Sequence, residues 1–175
     1  SPIGGGGLIA GSALAAKYFG DNCSIIGTEP FEVDDAYRSL ISGKIETNIT
    51  TNTIADGLRT QLGDKNFPII LDEVRKIIRI TENEIIDSTK LIWQRLKIIC
   101  EPSCSLPLAG IIKNKDEFKG KKIGVVITGG NVDLSKLPHG TGSTDGKFLR
   151  ANNGADPTFE TVDFTNLNAS NLTSG

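Results

Sequence analysis

The stretch Ser1-Pro2-Ile3-Gly4-Gly5-Gly6-Gly7-Leu8 opens the chain and decides the fold class. Its first three residues are typical of a strand end, and the Ala- and Leu-rich residues 8–19 predict a helix that stops at Gly20. Glycine permits close backbone approach, and a helix start offers unpaired N–H groups and a positive dipole end. Four glycines at such a junction predict an anion site, most often for phosphate, with a flexible turn as the alternative.

Beyond this junction, short apolar strands alternate with helices. The patterns predict strands over 24–27, 77–80 and 122–128 (KIGVVIT), and helices over 34–41, 67–76, 85–99 and 106–113. Thr81-Glu82-Asn83-Glu84 predicts a capping box at the start of the long helix. The alternation indicates an α/β fold, a partial parallel sheet with flanking helices. So few parallel strands leave exposed edges, which predicts aggregation, or a homodimer, through that edge.

Composition excludes several classes of function. The 175 residues are 38% hydrophobic and 23% charged, with a net charge of -2. The sequence contains no basic patch of the kind that would indicate nucleic-acid binding. Charged residues also interrupt every apolar stretch before it reaches the length of a membrane span. Three Cys are an odd number without framework spacing, which favours a reducing, cytoplasmic setting. A single His excludes a multi-histidine metal site.

The character of the chain changes after Leu137. Half of the residues in 138–175 are Gly, Ser, Thr or Asn, and their periodicity is weak. We therefore divide the chain into a folded body, 1–137, and a tail, 138–175, that is expected to be flexible.

Polar residues follow the predicted strands. Glu29 and Thr128 each come at a strand end, where open α/β sheets bind their ligands. Glu29 also lies close in sequence to Asp34 and Asp35, and three carboxylates suit a hard cation such as Mg²⁺ or Ca²⁺. The residues alone leave a second interpretation open, in which the two aspartates only interact with the dipole of the helix that follows.

Six motifs in order resemble serine racemase and the catabolic serine/threonine dehydratases, pyridoxal-phosphate enzymes of fold type II (the tryptophan-synthase-β-like fold). The resemblance spans Pro2 to Leu134 and excludes the tail. Its motifs are Pro2-Ile3-Gly4-Gly5-Gly6-Gly7-Leu8, Gly27-Thr28-Glu29-Pro30 with Asp34-Asp35, Thr53-Ile54-Ala55-Asp56-Gly57, Thr81-Glu82-Asn83-Glu84-Ile85, Glu101-Pro102-Ser103 and Thr128-Gly129-Gly130-Asn131-Val132-Asp133.

The resemblance implies a role for each matching residue. Gly4, Gly5, Gly6, Gly7 and the N–H of Leu8 would cradle the cofactor phosphate. Gly57 would lie beside the cofactor, Glu101 would border its ring, and the Thr128 hydroxyl would bond the pyridine nitrogen. Glu29, the carbonyl of Val33 and the Asp35 carboxylate would bind a divalent cation, Mg²⁺ or else Ca²⁺ or Mn²⁺.

The sequence also departs from the family. The family binds its cofactor through a Lys in a Ser-x-Lys-x-Arg-Gly motif, which this sequence does not contain. No catalytic residue is therefore assigned, and the chain is expected to represent only the C-terminal half of such an enzyme, with the N-terminal half missing. Cys104 stands where the family has a small residue, and its side chain is expected near the cofactor edge.

These observations imply one function and leave alternatives. The chain resembles the cofactor-phosphate and metal-binding half of a serine/threonine ammonia-lyase or serine racemase, inactive alone, whose complete form acts on a small amino acid. One alternative is a non-catalytic module that binds a phosphate ligand. Another is a structural fusion, because Asp145-Gly146-Lys147-Phe148-Leu149, Asp156-Pro157-Thr158-Phe159 and residues 166–175 resemble linker repeats of phage tail fibres.

Overall fold

A computed structural model describes residues 1–132 and the backbone of two further segments, 147–152 and 155–161. The chain divides into two compact units, Ser1–Val132 and Asp133–Gly175. The boundary expected from composition, between Leu137 and Pro138, lies outside the described residues.

Helices alternate with strands in the first unit. Its elements are α1 Gly7–Phe19, β1 Ile25–Pro30, α2 Asp35–Ser42, a 3-10 turn Asp56–Leu58, α3 Phe67–Glu73, β2 Val74–Ile80, α4 Glu82–Leu96, α5 Pro102–Lys113 and α6 Lys115–Phe118. The strands β1 and β2 pair in parallel, from Ile25 opposite Val74 to Pro30 opposite Ile80. Pro2 adds a parallel bridge to Thr28 on the other side of β1. The predicted α/β class, with a small parallel sheet and flanking helices, is confirmed.

The sheet separates two hydrophobic clusters. One joins α1, α2 and α3 to the sheet and includes Ile9, Ile70 and Ile77. The other joins α4 and α5 to the opposite face and includes Ile78 and Leu106. Neighbouring residues Ile77 and Ile78 belong to different clusters because successive side chains of a strand point to opposite faces. Both faces of this short sheet are therefore covered by helices.

The capping box predicted at the start of α4 is present. The Thr81 hydroxyl accepts a hydrogen bond from the Glu84 N–H, and the Glu84 carboxylate accepts one from the Thr81 N–H at 2.8 Å. Two N–H groups at the helix start thereby find partners. Because these bonds form, α4 starts at Glu82, earlier than the predicted residue 85.

Truncation of this cap is expected to destabilise the first unit. We predict that Thr81→Ala lowers the free energy of unfolding by about 1 kcal/mol, the usual loss for a Thr cap. Thr81→Ser keeps the hydroxyl and serves as the control. Urea unfolding of both variants measures the difference, and equal midpoints for the two would contradict the prediction.

Other predicted helix boundaries are also wrong. The helix expected over 85–99 ends at Leu96, because Lys97 takes a left-handed φ of 58°. The helix expected over 67–76 ends at Glu73, because Val74 and the residues after it pair with β1. The helix expected over 106–113 begins one turn earlier, at Pro102, as α5. Proline is tolerated there because a first-turn N–H has no partner within the helix.

The predicted strand over 122–128 is not formed in the structure. These residues belong to neither helix nor strand, and Ile123 and Val126 are 43% and 54% exposed. The prediction relied on an apolar run, but a strand also needs a hydrogen-bonded neighbour. The segment faces an open cleft on the side where β1 lies, so it has no sheet partner there.

The second unit contains an antiparallel hairpin of β3 Lys147–Asn152 and β4 Ala155–Thr161. The weak periodicity of this region did not predict it. The other residues of the expected flexible tail lie outside the described residues. Within the part of the chain that is described, no helix is long and apolar enough to cross a membrane.

Candidate functional site

The glycine tract lies where the Pro2 bridge ends and α1 begins. Gly6 occupies the position just before the helix, and no side chain there caps the first-turn N–H groups. The first turn also contains no acidic residue. The positive end of a 13-residue helix is therefore open to an anion.

A cavity of about 220 Å³ opens at this helix start. All eight residues that the resemblance assigns to the cofactor line it, together with three others. The lining residues are Pro2, Gly4, Gly5, Gly6, Gly7, Leu8, Gly57, Leu58, Glu101, Ser103 and Thr128. Ligand pockets usually have roughly 300–1,000 Å³, so these residues surround a ligand only in part.

Two of the four glycines are required by their surroundings. Gly6 has a φ of 84°, and a Cβ built there would lie 2.7 Å from Leu62 Cδ1 and 2.9 Å from Ile70 Cδ1. A Cβ on Gly4 would lie 2.8 Å from the Thr60 hydroxyl. Larger residues at these positions would collide with the fold itself.

At the other two glycines, Gly5 and Gly7, the surrounding protein leaves space for a larger side chain. A Cβ on Gly5 would come no closer than 3.7 Å to any other group, and one on Gly7 no closer than 3.9 Å. Neither has a left-handed φ. Glycine at these two positions instead leaves the backbone bare toward the cavity, as close contact with an anion requires.

Residues 63–66 orient the tract. The Gly5 carbonyl accepts hydrogen bonds from the Asn66 side-chain amide at 2.7 Å and from the Gly63 N–H at 3.1 Å. Because the peptide is planar and trans, the N–H of Gly6 points the opposite way from that carbonyl. The carbonyl is thus held by the protein, and the N–H stays available to a ligand.

The far wall of the cavity is built on the start of α5. The N–H of Gly57 donates to the Ser103 hydroxyl at 3.1 Å. A Cβ on Gly57 would lie 3.0 Å from the same oxygen and 3.7 Å from Glu101 Oε1. Gly57 therefore lets the 3-10 turn approach α5 closely, with the Glu101 carboxylate beside it.

Thr128 is positioned at the cavity by hydrogen bonds between the residues that follow it and the start of α5. The Glu101 N–H donates to the Gly129 carbonyl at 3.0 Å, and Asn131 N–H donates to Glu101 Oε2 at 3.3 Å. The thiol of Cys104 lies 3.1 Å from the same Gly129 carbonyl and is fully buried. Cys104 ties this loop to α5 and does not line the cavity.

Three lining residues were not expected at the site: Pro2, Leu58 and Ser103. Each lies inside or next to one of the six motifs, and this position in a motif was the one sign in the sequence that it could belong to the site. Ser103 in particular follows Glu101 by two residues and faces Gly57. Backbone contacts of this kind have no pattern in the sequence.

A second cluster lies apart from this cavity, at the end of β1. Glu29 accepts hydrogen bonds from the N–H groups of Ala36 at 3.0 Å and Tyr37 at 2.8 Å. Asp35 Oδ2 accepts one from the Leu62 N–H at 2.7 Å. Both carboxylates are buried, and Val33 between them is fully buried too. Glu29 thus does not share the glycine cavity, although both follow strand ends.

The electrostatics of this cluster are unusual. Burial, with a smaller contribution from the nearby Asp35, raises the pKa of Glu29 to about 9. Asp35 Oδ1 is buried without any hydrogen-bond partner. Asp34 turns away and pairs with Arg38 and Arg79. Within residues 1–132 no three His, Cys, Asp or Glu side chains form a metal cluster, so a cation here would also need a backbone oxygen.

The fold and the cavity define a class of protein. A parallel α/β unit that presents bare glycine backbone at a helix start has a geometry typical of phosphate-binding domains. The chain belongs to the pyridoxal-phosphate-dependent enzymes, because the family model described as "Pyridoxal-phosphate dependent enzyme" matches residues 1–129.

Individual relatives agree with this family. A β-hydroxyaspartate dehydratase of Paracoccus denitrificans is 45% identical over 138 residues, which cover 79% of this chain and 44% of that protein. Serine racemase of Dictyostelium discoideum is 47% identical, covering 78% of this chain and 44% of the relative. The structure of maize serine racemase aligns with a TM-score of 0.73 at 42% identity, covering 78% of this chain and 43% of that one. The fold-type II resemblance is confirmed, and the chain spans less than half the length of these relatives.

Proposed function

We propose that residues 1–132 bind the phosphate of pyridoxal 5'-phosphate and a divalent cation, as part of an enzyme that deaminates serine or threonine or racemises serine. One observation carries this proposal. Eight residues from four separate parts of the chain, assigned to the cofactor by resemblance alone, line a single cavity. Pyridoxal phosphate would supply an electron sink for chemistry at the α-carbon of an amino acid.

In that chemistry the residues of this chain would bind the cofactor and orient it. Bare N–H groups at Gly5 to Leu8 and the positive end of α1 would bind the phosphate dianion. The Thr128 hydroxyl would form a hydrogen bond with the pyridine nitrogen. Because this partner is neutral, the nitrogen would stay unprotonated. The Glu101 carboxylate, held by the Asn131 N–H, would border the ring.

The buried pair Glu29 and Asp35 supports a cation. Two features of the pair fit a cation site: Asp35 Oδ1 is buried without a hydrogen-bond partner, and burial raises the pKa of Glu29, so a positive charge beside the two carboxylates would stabilise both. With the carbonyl of Val33 they would form an all-oxygen donor set, which suits Mg²⁺, Ca²⁺ or Mn²⁺. The ion would tie the end of β1 to α2, and through Asp35 to the 62–66 loop that orients Gly5.

Gly5→Ala separates binding from folding. We predict that this variant weakens binding of pyridoxamine 5'-phosphate about tenfold or more, because the added methyl would keep the phosphate away from the backbone N–H groups and lengthen at least one charge-assisted hydrogen bond. The added methyl has room in the fold, so the unfolding midpoint stays near that of the wild type. Gly11→Ala, in the exposed face of α1, is the control that leaves affinity unchanged. Unaltered affinity in Gly5→Ala would contradict the assigned cradle.

The chain by itself is expected to be inactive. It has no Ser-x-Lys-x-Arg-Gly motif to anchor the cofactor and take up the α-proton. Purified chain supplied with pyridoxal phosphate, Mg²⁺ and L-serine is therefore predicted to release neither pyruvate nor D-serine. Sustained turnover would show that another lysine of this chain performs that task, and would refute the proposed division of roles.

The same missing motif favours a second candidate, a module that binds a phosphate ligand and catalyses nothing. The two candidates differ once the rest of a relative is supplied. If the portion of Dictyostelium serine racemase without a counterpart here restores turnover in a mixture with this chain, the chain is part of an enzyme. Binding without any restored turnover supports the module. The tail-fibre-like fusion concerns residues that are mostly outside the described part.

A further inference from the structure

Two cysteines at the start of α5 have no role in the proposed function. Cys100 immediately precedes Glu101, the residue that caps the helix start, and Cys104 lies in the first turn. Both side chains are fully buried and pack with Ile92 in a third hydrophobic cluster. Both thiols are free in the structure. Two free thiols in one buried cluster can join as a disulfide without a large movement of the backbone.

The two thiols differ in acidity. The hydrogen bond between them lowers the pKa of Cys104 and raises the pKa of Cys100. The place of Cys104 in the first turn of α5 acts in the same direction, because the positive end of a helix stabilises a thiolate. A thiolate attacks oxidants, and a second thiol beside it resolves the product. Cys104 is therefore the attacking thiol of the pair, and Cys100 is the resolving thiol.

The Cys104 thiol also connects α5 to the loop of residues 128–131. It lies 3.1 Å from the Gly129 carbonyl, to which the Glu101 N–H donates at 3.0 Å. Thr128 of the same loop lines the glycine cavity. A disulfide sulfur has no proton to donate, so oxidation of Cys104 removes its hydrogen bond to this loop.

We propose that Cys100 and Cys104 are a peroxide-sensitive thiol pair, whose disulfide loosens the 128–131 loop from the start of α5. The contact with the Gly129 carbonyl is lost because the Cys104 sulfur moves toward Cys100 and no longer carries a proton. The inference goes beyond the proposed function, since neither the disulfide nor the loop contact involves the cofactor or the cation.

Hydrogen peroxide is the oxidant of this reaction, and the two thiols supply both electrons. The Cys104 thiolate attacks one peroxide oxygen, the O–O bond breaks, and the leaving hydroxide takes up the proton that Cys104 released. This step leaves a sulfenic acid on Cys104. The Cys100 sulfur then attacks the Cys104 sulfur, the S–O bond breaks, and the departing hydroxide takes the Cys100 proton. One disulfide and two waters form for each peroxide that is reduced.

The surroundings of the pair favour a small, uncharged oxidant. Ile127 packs against the cluster that contains both cysteines, and residues 121–132 around it form neither helix nor strand. Segments of this kind open locally at a low cost in free energy, which admits small molecules to the groups beneath them. A peroxide therefore suits this pair better than a bulky disulfide such as oxidised glutathione.

Trp93 provides a spectroscopic signal for the pair. It is the only tryptophan of the chain, it packs against the same cluster, and its indole N–H donates to the Cys100 carbonyl at 2.9 Å. A disulfide quenches the fluorescence of an indole close to it. Oxidation is therefore expected to lower the fluorescence of the folded chain, and dithiothreitol is expected to restore it.

Treatment of the 175-residue chain with hydrogen peroxide tests the disulfide. The thiols counted in denaturant are expected to fall from three to one per chain, with a mass loss of two hydrogen atoms. Cys23→Ser, at an exposed cysteine, keeps this mass loss, whereas Cys100→Ser abolishes it and gains oxygen instead. The proposal is overturned by a wild-type chain that keeps three thiols, gains oxygen without losing hydrogen, or links its cysteines only between two chains.

Amide hydrogen exchange tests the effect on the loop. The protection factor of the Glu101 N–H, which donates to the Gly129 carbonyl, is expected to fall about fivefold on oxidation, the value of one lost hydrogen bond. The Ile3 N–H, which is bonded to β1, keeps its protection. Cys104→Ala shows the lower Glu101 protection without peroxide and no response to it. Equal protection in the oxidised and reduced wild type would overturn the link to the loop. Binding of pyridoxamine 5'-phosphate is measured separately, so none of these outcomes decides the proposed function.

Discussion

Gly6→Ala is expected to destabilise the first unit by about 2–5 kcal/mol, because left-handed strain and crowding of the core both oppose it. An L-residue at a φ of 84° carries left-handed strain of about 1–2 kcal/mol. The new methyl would also lie within 3 Å of Leu62 and Ile70, and crowding a packed core costs about 1–3 kcal/mol.

Two further glycines divide this effect into its causes. Gly43 has a φ of 72° with nothing near its Cβ position, so Gly43→Ala measures the strain alone, about 1–2 kcal/mol. Gly11 lies in α1 with open space, and Gly11→Ala is expected to stabilise by about 0.5–1 kcal/mol. Urea unfolding of the three variants gives the comparison. A Gly6→Ala chain no less stable than Gly43→Ala would show that the tract is not packed as described.

The metal-free chain is expected to lose stability as the pH rises from about 5 to 9. The pKa of Glu29 is raised in the folded state from 4.5 to about 9. Between these values the folded chain retains a proton that the unfolded chain has released. Each pH unit in this window therefore lowers the free energy of unfolding by up to about 1.4 kcal/mol, and the loss ends above the folded pKa.

Glu29→Gln isolates this contribution. The amide cannot ionise, so the variant is expected to lose the pH slope and to be more stable than the metal-free wild type at pH 8. Unfolding curves at several pH values in the presence of a chelator measure both. An unchanged slope in Glu29→Gln would mean that other groups cause it.

Mg²⁺ is expected to oppose the same loss. Binding between Glu29 and Asp35 displaces the proton, so millimolar Mg²⁺ should raise the unfolding midpoint more at pH 8 than at pH 6. Asp35→Asn should abolish this difference, while Asp72→Asn, at an exposed carboxylate, should preserve it. Equal Mg²⁺ effects in all three chains would contradict a site at this pair.

Local chemistry made part of the fold predictable. The Thr81–Glu84 capping box and the glycine-flanked helix α1 depend on residues within a few positions of each other, and both agree with the structure. The end of α3 at Glu73 depends instead on pairing with β1, far away in sequence. Helical periodicity in residues 67–76 could not reveal that competition.

The strand expected over residues 122–128 shows the same limit. Its composition suits a buried parallel strand, but neither strand of residues 1–132 pairs with it. A sequence pattern indicates which structure a segment can form when its sheet neighbours are present. It does not indicate whether those neighbours are present, because they come from other parts of the fold.

The candidate site was predictable through its motifs more than through its chemistry. Spacing alone could indicate an anion at Gly4 to Gly7, but it could not bring Gly57, Glu101 and Thr128 to the same cavity. The same limit applies to the two candidate cation ligands Glu29 and Asp35. Asp34 and Asp35 are adjacent aspartates, so the sequence could not show which of them lies beside Glu29. Only the structure shows that Asp34 pairs with arginines while Asp35 faces Glu29.

Binding of pyridoxamine 5'-phosphate, compared with pyridoxamine, tests the central claim most directly. The amine cannot form imines with surface lysines, and the pair differs only in the phosphate. Equilibrium dialysis with the 175-residue chain is predicted to show one bound pyridoxamine 5'-phosphate per chain and no bound pyridoxamine. Equal retention of both compounds, or of neither, would contradict a phosphate site at the glycine tract.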